Sequence, residues 1–318
     1  MPDRHAGFAA PRRTRPAAAR LVIAAHLAVV ALAGLALVAS HAPAAWIAGA
    51  LASGTSLFAL TGLVHEASHR HLARRRAVND ALGMLAGWPL LTPVSAYRAF
   101  HNAHHQATND EGDPNEPLNS RWMLLVGAPI YVALIHRHAL ATLRGRDLAR
   151  YLAETAAMVA TLGLILALLP HAVRERAFLL PLAVVMAWQN LRIVAEHLDL
   201  PSGRFHDTWQ LALPAPLSFW LLHSDHHLEH HLRPGLRWHE LPLYRAEIDR
   251  GGFIPAPQRV TPRRFAAEVF CRPRPRARVR PDAAPKEANA VPAPKWAGRA
   301  AIRARPPRPN HPPRESVG

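Results

Sequence analysis

The sequence predicts an all-α membrane protein with two transmembrane helical hairpins, about four spans in total, interfacial helices and a cytosolic histidine-rich cap. Three observations lead to this prediction. Half of the 318 residues are hydrophobic although the formal charge is +16, so apolar and basic segments must be separated along the chain. Four apolar stretches are long enough to cross a bilayer. Most of the histidines lie in short clusters just beyond the ends of apolar stretches.

The four predicted spans form two pairs. The first pair is separated only by "SHAP" and the second by "PHAVRER", which is typical of transmembrane hairpins. Two further apolar stretches are shorter and are interrupted by Gly or Pro, so we expect interfacial or re-entrant helices there. The predicted spans cover residues 21–39, 44–64, 151–169 and 177–195, and the two shorter stretches cover residues 81–93 and 122–135.

Basic residues predict the orientation of the spans. Arginines are frequent in residues 1–20, in "RHLARRR" at 70–76 and in residues 137–150, whereas the turns at 40–43 and 170–176 carry two in total. Because basic loops remain on the cytosolic side, we expect both termini and the histidine clusters to be cytosolic.

Composition divides the chain into three parts. Residues 1–20 are predicted to be a basic disordered N-terminus, residues 21–265 a membrane domain, and residues 272–318 a disordered tail rich in Pro and Arg. The tail suits an anionic lipid surface better than a nucleic acid, and we do not expect a nucleic acid as a partner. The single cysteine, Cys271, excludes an intrachain disulfide and a self-contained iron–sulfur cluster. Any electrons must therefore come from a separate donor.

The histidine clusters have the spacing of one helical face. "HEASH" places two histidines at i and i+4, "HNAHH" places three at i, i+3 and i+4, and "HSDHHLEHH" places five on one predicted helical stripe. The fourth span delivers one more histidine to the same side. Nine of these form the predicted ligand set: His65, His69, His101, His104, His105, His197, His227, His230 and His231.

Nine imidazoles exceed the four positions of a tetrahedral zinc and indicate two six-coordinate ions, with about three positions left for water or O2. The ligand type alone leaves Fe, Cu, Ni and Zn open. The isolated histidines are interpreted as solvated or locally hydrogen-bonded, and they are His5, His26, His41, His71, His136, His138, His171, His206, His239 and His311.

Three motifs resemble the histidine boxes of the membrane fatty acid desaturase superfamily, which also includes alkyl hydroxylases and carotenoid hydroxylases and ketolases. They are "HEASH", "HNAHH" and "HHLEHH", and the flanking "AYRAFHNAHHQATNDEGDPN" and "HHLEHHLRPGLRWHELP" are also similar. The resemblance covers residues 20–265. It implies two non-haem iron ions bound by the nine histidines, O2 as co-substrate, and electrons from a separate protein such as ferredoxin or a cytochrome. It also implies a lipophilic substrate, such as an acyl-lipid or an acyl-thioester.

Two departures from the family pattern matter. Some relatives have an Asn one turn before the histidine that matches His197, but Ile193 stands there, and Asn190 lies two turns back. In addition, His223, His226 and His227 also have the box spacing; we prefer the register of "HLEHH" because "EHHLRP" matches the family. Side chains expected to support the ligands are Glu66, Asp80, Asp113, Glu196, Glu229, His223 and His226.

The preferred function is O2-dependent desaturation of a fatty-acyl chain in lipid metabolism, by an enzyme embedded among membrane lipids. Hydroxylation or ketolation of a lipid or carotenoid is the alternative within the same superfamily. A histidine-rich metal transporter is a remote alternative, because transporters usually hold their ligands near the bilayer midplane rather than at helix ends.

Overall fold

The computed structural model describes residues 16–109, 111–198, 208–251 and 259–271, and nearly all of their secondary structure is helical. Two-residue strands, Gln210–Leu211 and Arg259–Val260, pair in parallel. The helices are α1 (Pro16–Ala39), α2 (Pro43–Ser68), α3 (Arg76–Gly87), α4 (Val94–Ala107), α5 (Met123–Thr142), α6 (Gly145–Leu168), α7 (His171–Val173), α8 (Leu180–His197), α9 (Ala215–Trp220), α10 (His227–Leu232), α11 (Leu241–Gly251) and α12 (Pro262–Cys271).

Five helical segments of the described chain are long and apolar enough to cross a membrane. Four of them contain the predicted spans. The fifth is α5, and here the expectation of a short, interrupted helix at residues 122–135 was wrong. Pro129 lies inside α5, yet the helix continues for 20 residues, because Pro removes one backbone donor without ending a helix that is packed on both sides of it.

The fourth span also begins earlier than expected. The sequence "PHAVRER" was expected to form a turn, but α7 begins at His171 and leads through a π-helical segment, Arg174–Leu179, directly into α8. Only Leu169 and Pro170 separate this helix from α6. The hairpin connection is therefore shorter than its polar sequence indicated.

Helix α2 lies at the centre of the helical bundle and packs against α1, α3, α4 and α8. Gly54 allows the close approach of α8, since a Cβ there would lie 2.5 Å from the Val184 Cβ atom. Gly83 does the same for α3, where a Cβ would lie 2.4 Å from the Ala67 Cβ atom. These two contacts fix the helix that carries the first histidine motif.

The peripheral helices expose apolar side chains. Leu32 and Leu35 of α1 and Leu164 and Leu168 of α6 all have more than half of their surface accessible. Such a belt would be unfavourable in water but matches the hydrocarbon of a bilayer. The outer faces of α1 and α6 are thus suited to contact lipid.

Short helices cover the end of the bundle where the histidine motifs lie. Helix α12 belongs to this cover, since Phe265 and Val269 are buried in the main hydrophobic core together with Val260. Helix α12 ends at Cys271.

Candidate metal centre

Helix α2 ends at Ser68, within the first histidine motif. Arg70 has a left-handed backbone with φ of 63°, and the amides of Arg70 and His71 donate to the carbonyls of Ala67 and Glu66. This pair of bonds is the Schellman arrangement, which terminates a helix. His65 and His69 therefore remain on the helical face, while the chain beyond them turns away.

Five imidazoles from three helices form the first histidine group. The Nε2 atom of His230 lies 2.9 Å from that of His65, 2.8 Å from that of His105 and 3.3 Å from that of His101. The Nε2 atom of His101 is also 3.0 Å from that of His69 and 2.9 Å from that of His105. Histidines from the motifs on α2, α4 and α10 thus contribute to one cluster of nitrogen atoms.

Hydrogen bonds alone do not account for this convergence. An imidazole nitrogen has either one proton or one lone pair in the ring plane, so the Nε2 atom of His230 has no means of bonding three other nitrogens. Two ligands at 90° around one ion, each bonded at about 2.1 Å, are about 3.0 Å apart. The observed separations fit a shared cation, and four members of this group are placed to hold a metal ion.

The second histidine group contains His104, His227 and His231. The Nε2 atom of His231 lies 3.3 Å from that of His104 and 3.0 Å from that of His227. Helix α8 ends at His197 close by, because its Glu196 Oε1 atom lies 3.5 Å from the Nδ1 atom of His227. The His197 side chain lies outside the described part of the structure.

Hydrogen bonds at Nδ1 fix the tautomers of two members of the second histidine group. The Nδ1 atom of His104 lies 2.8 Å from Asp113 Oδ1, and an ionised carboxylate only accepts. Thr108 uses its hydroxyl proton for the His104 carbonyl, so it accepts from Nδ1 of His231 at 3.3 Å. Both Nε2 atoms then carry lone pairs that face each other, an arrangement that a cation between them would stabilise.

The carboxylates expected to support the ligands divide into two sets. Asp113, Glu196 and Glu66 lie against His104, His227 and His65, with Glu66 Oε1 3.4 Å from Nδ1 of His65. Asp80 instead binds two arginines and Glu229 binds one. The Asp80 contacts are to Arg98 at 2.6 Å and Arg150 at 2.7 Å, and the Glu229 contact is to Arg245 at 2.6 Å.

Arg98 joins two of the helices that carry histidine motifs, and sequence spacing did not reveal this role. Arg98, one turn before His101, donates to the carbonyls of Ala67 and Ser68 at the end of α2 and to Asp80. It thereby connects the first histidine motif to the helix that carries the second. The signal available in the sequence was an arginine one turn before a histidine motif, which by itself has no defined partner.

The predicted helical stripe over residues 223–231 is not formed. Helix α10 begins at His227, and Leu222 and His223 have left-handed backbones with φ of 51° and 53°. His223 and His226 therefore leave the face of His227 and form a group of their own with Asp225. The remaining three histidines of the stripe are those of the preferred "HLEHH" register.

Asn190, His71 and His136 belong to neither histidine group, although the His71 ring lies 5.6 Å from the His69 ring. The Asn190 side chain accepts from the Ala128 amide and donates to the Leu124 carbonyl, so it joins α8 to α5. His71 contacts Glu66 Oε2 at 3.2 Å through Nδ1, and His136 contacts the Tyr151 hydroxyl and the Leu91 carbonyl.

Burial lowers the pKa of four imidazoles of the first histidine group. The pKa of His69 is lowered to about 2 and that of His105 to about 3. Desolvation by burial is the largest cause, and the neighbouring histidines contribute to the lowering of both pKa values. The same causes hold the pKa values of His101 and His230 well below the usual range. Neutral imidazole is the form that binds metal ions, so these four members of the first histidine group are ready to do so at neutral pH.

A cavity of about 100 Å³ opens on the histidines. His65, His227 and His230 line it together with apolar side chains from α2 and the segment after α9, such as Phe58, Leu63 and Leu221. Polar side chains such as Gln189, Arg192 and Glu196 also line it, and the larger part of its wall is apolar, which suits a lipophilic ligand.

Comparisons with known proteins agree with this arrangement. The family model described as "Fatty acid desaturase" matches residues 40–256, which include all three histidine motifs. The chain is 38% identical over 73 residues to an sn-1 oleoyl-lipid 12-desaturase of Anabaena variabilis, covering 23% of this chain and 20% of the relative.

Two other relatives have related names. One is an sn-1 acyl-lipid omega-3 desaturase (ferredoxin) of Nostoc sp., 34% identical over 19% of this chain and 18% of the relative. The other is a chloroplastic omega-6 fatty acid desaturase of Glycine max, 33% identical over 21% of this chain and 15% of the relative. The matches thus span at most about a fifth of these relatives. Because the family model covers more than half of the sequence and its histidine motifs form two nitrogen clusters at one end of the bundle, the chain belongs to the fatty acid desaturase family.

Proposed function

We propose that this protein is a membrane-bound, O2-dependent oxidoreductase that desaturates a fatty-acyl chain. The observation that carries the proposal is the convergence of two groups of imidazole Nε2 atoms beside an apolar cavity. The relatives named as acyl-lipid desaturases support the choice of an acyl chain as the substrate. From the basic segments we also propose that the histidine groups and both termini are cytosolic, with α1, α2, α6 and the helix that ends at His197 as the four crossings.

We assign the first ion to the first histidine group and the second ion to the second histidine group with His197 added. Two iron ions, when bound, supply the oxidising power derived from O2 that breaks an unactivated C–H bond, which no side chain provides. Burial lowers the pKa of His69, His101, His105 and His230, which favours their neutral form. Asp113 and Thr108 orient His104 and His231, and Glu196 does the same for His227.

The cavity walls position the substrate and exclude water from the reacting carbons. An acyl chain has no charged group along its methylenes, so apolar contact is the interaction available to it. Removing two hydrogens while reducing O2 to two waters requires two more electrons. A separate donor must supply them because Cys271 is the only cysteine, and the name of one relative points to ferredoxin.

Three histidine variants test the assignment. His65→Ala, His104→Ala and His231→Ala should each abolish turnover and reduce bound iron, since they remove nitrogen atoms from the two groups. His71→Ala is the matched control and should do neither, since its imidazole contacts Glu66 and belongs to neither group. Iron is counted by mass spectrometry of the purified protein. Equal damage by His71→Ala would contradict the assignment.

Mass spectrometry of lipids and carotenoids from cells that express the protein or His104→Ala identifies the reaction. A product lighter by two hydrogens is expected. A product heavier by one oxygen would identify a hydroxylase instead, and a chain that binds iron but consumes no O2 with added reductant would favour transport or storage.

A further inference from the structure

A third group of ligand-type side chains lies beside the two histidine groups and has no part in the proposed function. It consists of His223, Asp225 and His226, whose ligand atoms all lie within 4.8 Å of one another. Asp225 and His226 are buried, with 8% and 5% of their surface exposed. The group occupies the turn between α9 and α10 and therefore precedes the third histidine motif.

Ser218 determines which nitrogen of His223 is available. The Ser218 hydroxyl donates to Asp225 Oδ1 at 2.6 Å, so its proton is already used. The Nδ1 atom of His223 lies 2.9 Å from the same hydroxyl and must therefore be the donor in that contact. The neutral ring then has its lone pair on Nε2, where it can bind a cation.

The Nδ1 atom of His226 is buried and has no hydrogen bond to any described residue, since Glu229 Oε2 lies 3.9 Å from it. The Nε2 atom of His226 lies at the same distance, 3.9 Å, from Asp225 Oδ2. That distance is too long for a hydrogen bond. It is within the separation of about 4.2 Å that two ligands of one ion can reach when each bond is about 2.1 Å. A buried polar group in this state calls for a ligand.

Arg245 is the charged neighbour of this group. It lies 3.7 Å from Asp225 Oδ2, but its Nε atom donates to Glu229 at 2.6 Å, and Glu229 is fully buried. Arg245 is thus paired with Glu229, and Asp225 remains the carboxylate among the three ligand-type side chains.

We propose that His223, Asp225 and His226 bind a third metal ion, a divalent transition ion such as Fe²⁺ or Zn²⁺, separate from the two ions of the proposed function. Two imidazoles and one carboxylate are a donor set that both ions accept, and three protein ligands leave positions for water. His223 and His226 line the same cavity as His65, so these positions face the cavity. The ion would tie together the turn that leads into α10.

The test counts metal ions on the full-length protein in detergent. Wild type, His223→Ala and the control His239→Ala are loaded with Fe²⁺ and then with Zn²⁺, separated from free metal, and analysed by mass spectrometry for both elements. We expect His223→Ala to bind one ion fewer per chain than wild type, and His239→Ala to match wild type. The element that is lost identifies the ion.

A second variant preserves the three ligands. Ser218→Ala removes only the hydroxyl that orients His223 and Asp225, and should weaken Zn²⁺ binding at this site about tenfold in a titration. An equal ion count for His223→Ala and wild type would refute the third site while leaving the two-ion function intact. Loss of more than one ion by His223→Ala would refute its separateness, and unchanged affinity in Ser218→Ala would refute the tautomer argument.

Discussion

Replacing Arg245 with Met should destabilise the protein through a buried carboxylate. The Arg245 guanidinium lies 2.6 Å from Glu229, whose side chain is fully buried in the helix that carries the third histidine motif. Breaking a buried pair by removing one partner typically costs 3–5 kcal/mol. Because the Arg245 side chain is 17% exposed and water reaches part of it, we expect the low end of this range, about 3 kcal/mol.

Thermal unfolding in detergent measures this loss. At about 2–4 °C per kcal/mol for a domain of this size, the midpoint should fall by about 6–12 °C. The double variant Arg245→Met with Glu229→Met replaces the pair by apolar groups and should recover most of the loss, to within about 1 kcal/mol of wild type. Bound metal should fall in the single variant, because α10 also carries three of the clustered histidines.

Arg250→Met is the matched control for this experiment. Arg250 is an exposed arginine on α11, the helix that also carries Arg245. Its one described hydrogen bond is to the Ala246 carbonyl, so its loss should change the free energy of unfolding by less than about 0.5 kcal/mol. The reasoning fails if Arg245→Met unfolds within 2 °C of wild type, or if the double variant is as unstable as the single one, since either result means that no uncompensated charge was created.

Four more expectations can be checked directly. Truncation after Cys271 should leave the iron content and the turnover of the purified protein within about twofold of those of the full-length chain. Loss of iron would mean that the tail has a structural role. An impermeant maleimide should label exposed Cys271 in inverted vesicles and not in right-side-out ones, with the opposite result reversing the orientation. His197→Ala should lose most of its turnover and part of its iron while remaining folded. Full iron content with normal turnover would mean that His197 does not bind the second ion. Burial lowers the pKa of His69 to about 2 and that of His105 to about 3, so the unfolded chain takes up protons below its pKa of 6.5 that the folded chain does not. In protein stripped of metal with a chelator, the contribution of these two histidines to the free energy of unfolding is fully present above pH 6.5. Below pH 6.5 it should fall by about 1.4 kcal/mol per pH unit for each histidine. A thermal midpoint that stays constant from pH 7.5 to 5.5 would contradict this.

The membrane helices could be predicted from the sequence because their signal is local. An apolar stretch of 20 residues must form its own backbone hydrogen bonds in lipid, whatever its neighbours are. Interruptions were harder to judge. Pro129 and the polar "PHAVRER" segment indicated breaks, but packing against neighbouring helices kept both segments helical.

The candidate ligands were also predictable as residue types, and their assignment to groups was not. His101, His104 and His105 are neighbours in the sequence, yet His101 and His105 contact one group and His104 contacts the other. Helical spacing gives the angle between side chains on one helix, but it does not say which other helices face them.

The sequence by itself determined the class of the protein, its membrane segments and the histidine motifs that identify its family. These follow from apolar length, the helical repeat and short motifs, all of which depend on residues close in the chain. Only the tertiary structure decided the partners of each histidine, the arginine contacts of Asp80 and Glu229, and the separate group at His223, Asp225 and His226. The physical reason for the histidine and arginine contacts is that they join residues as far as 165 positions apart, such as His65 and His230, and long-range contacts are set by how whole helices pack. The group at His223, Asp225 and His226 is local, but it depends on the left-handed backbone at His223, which helical spacing does not predict.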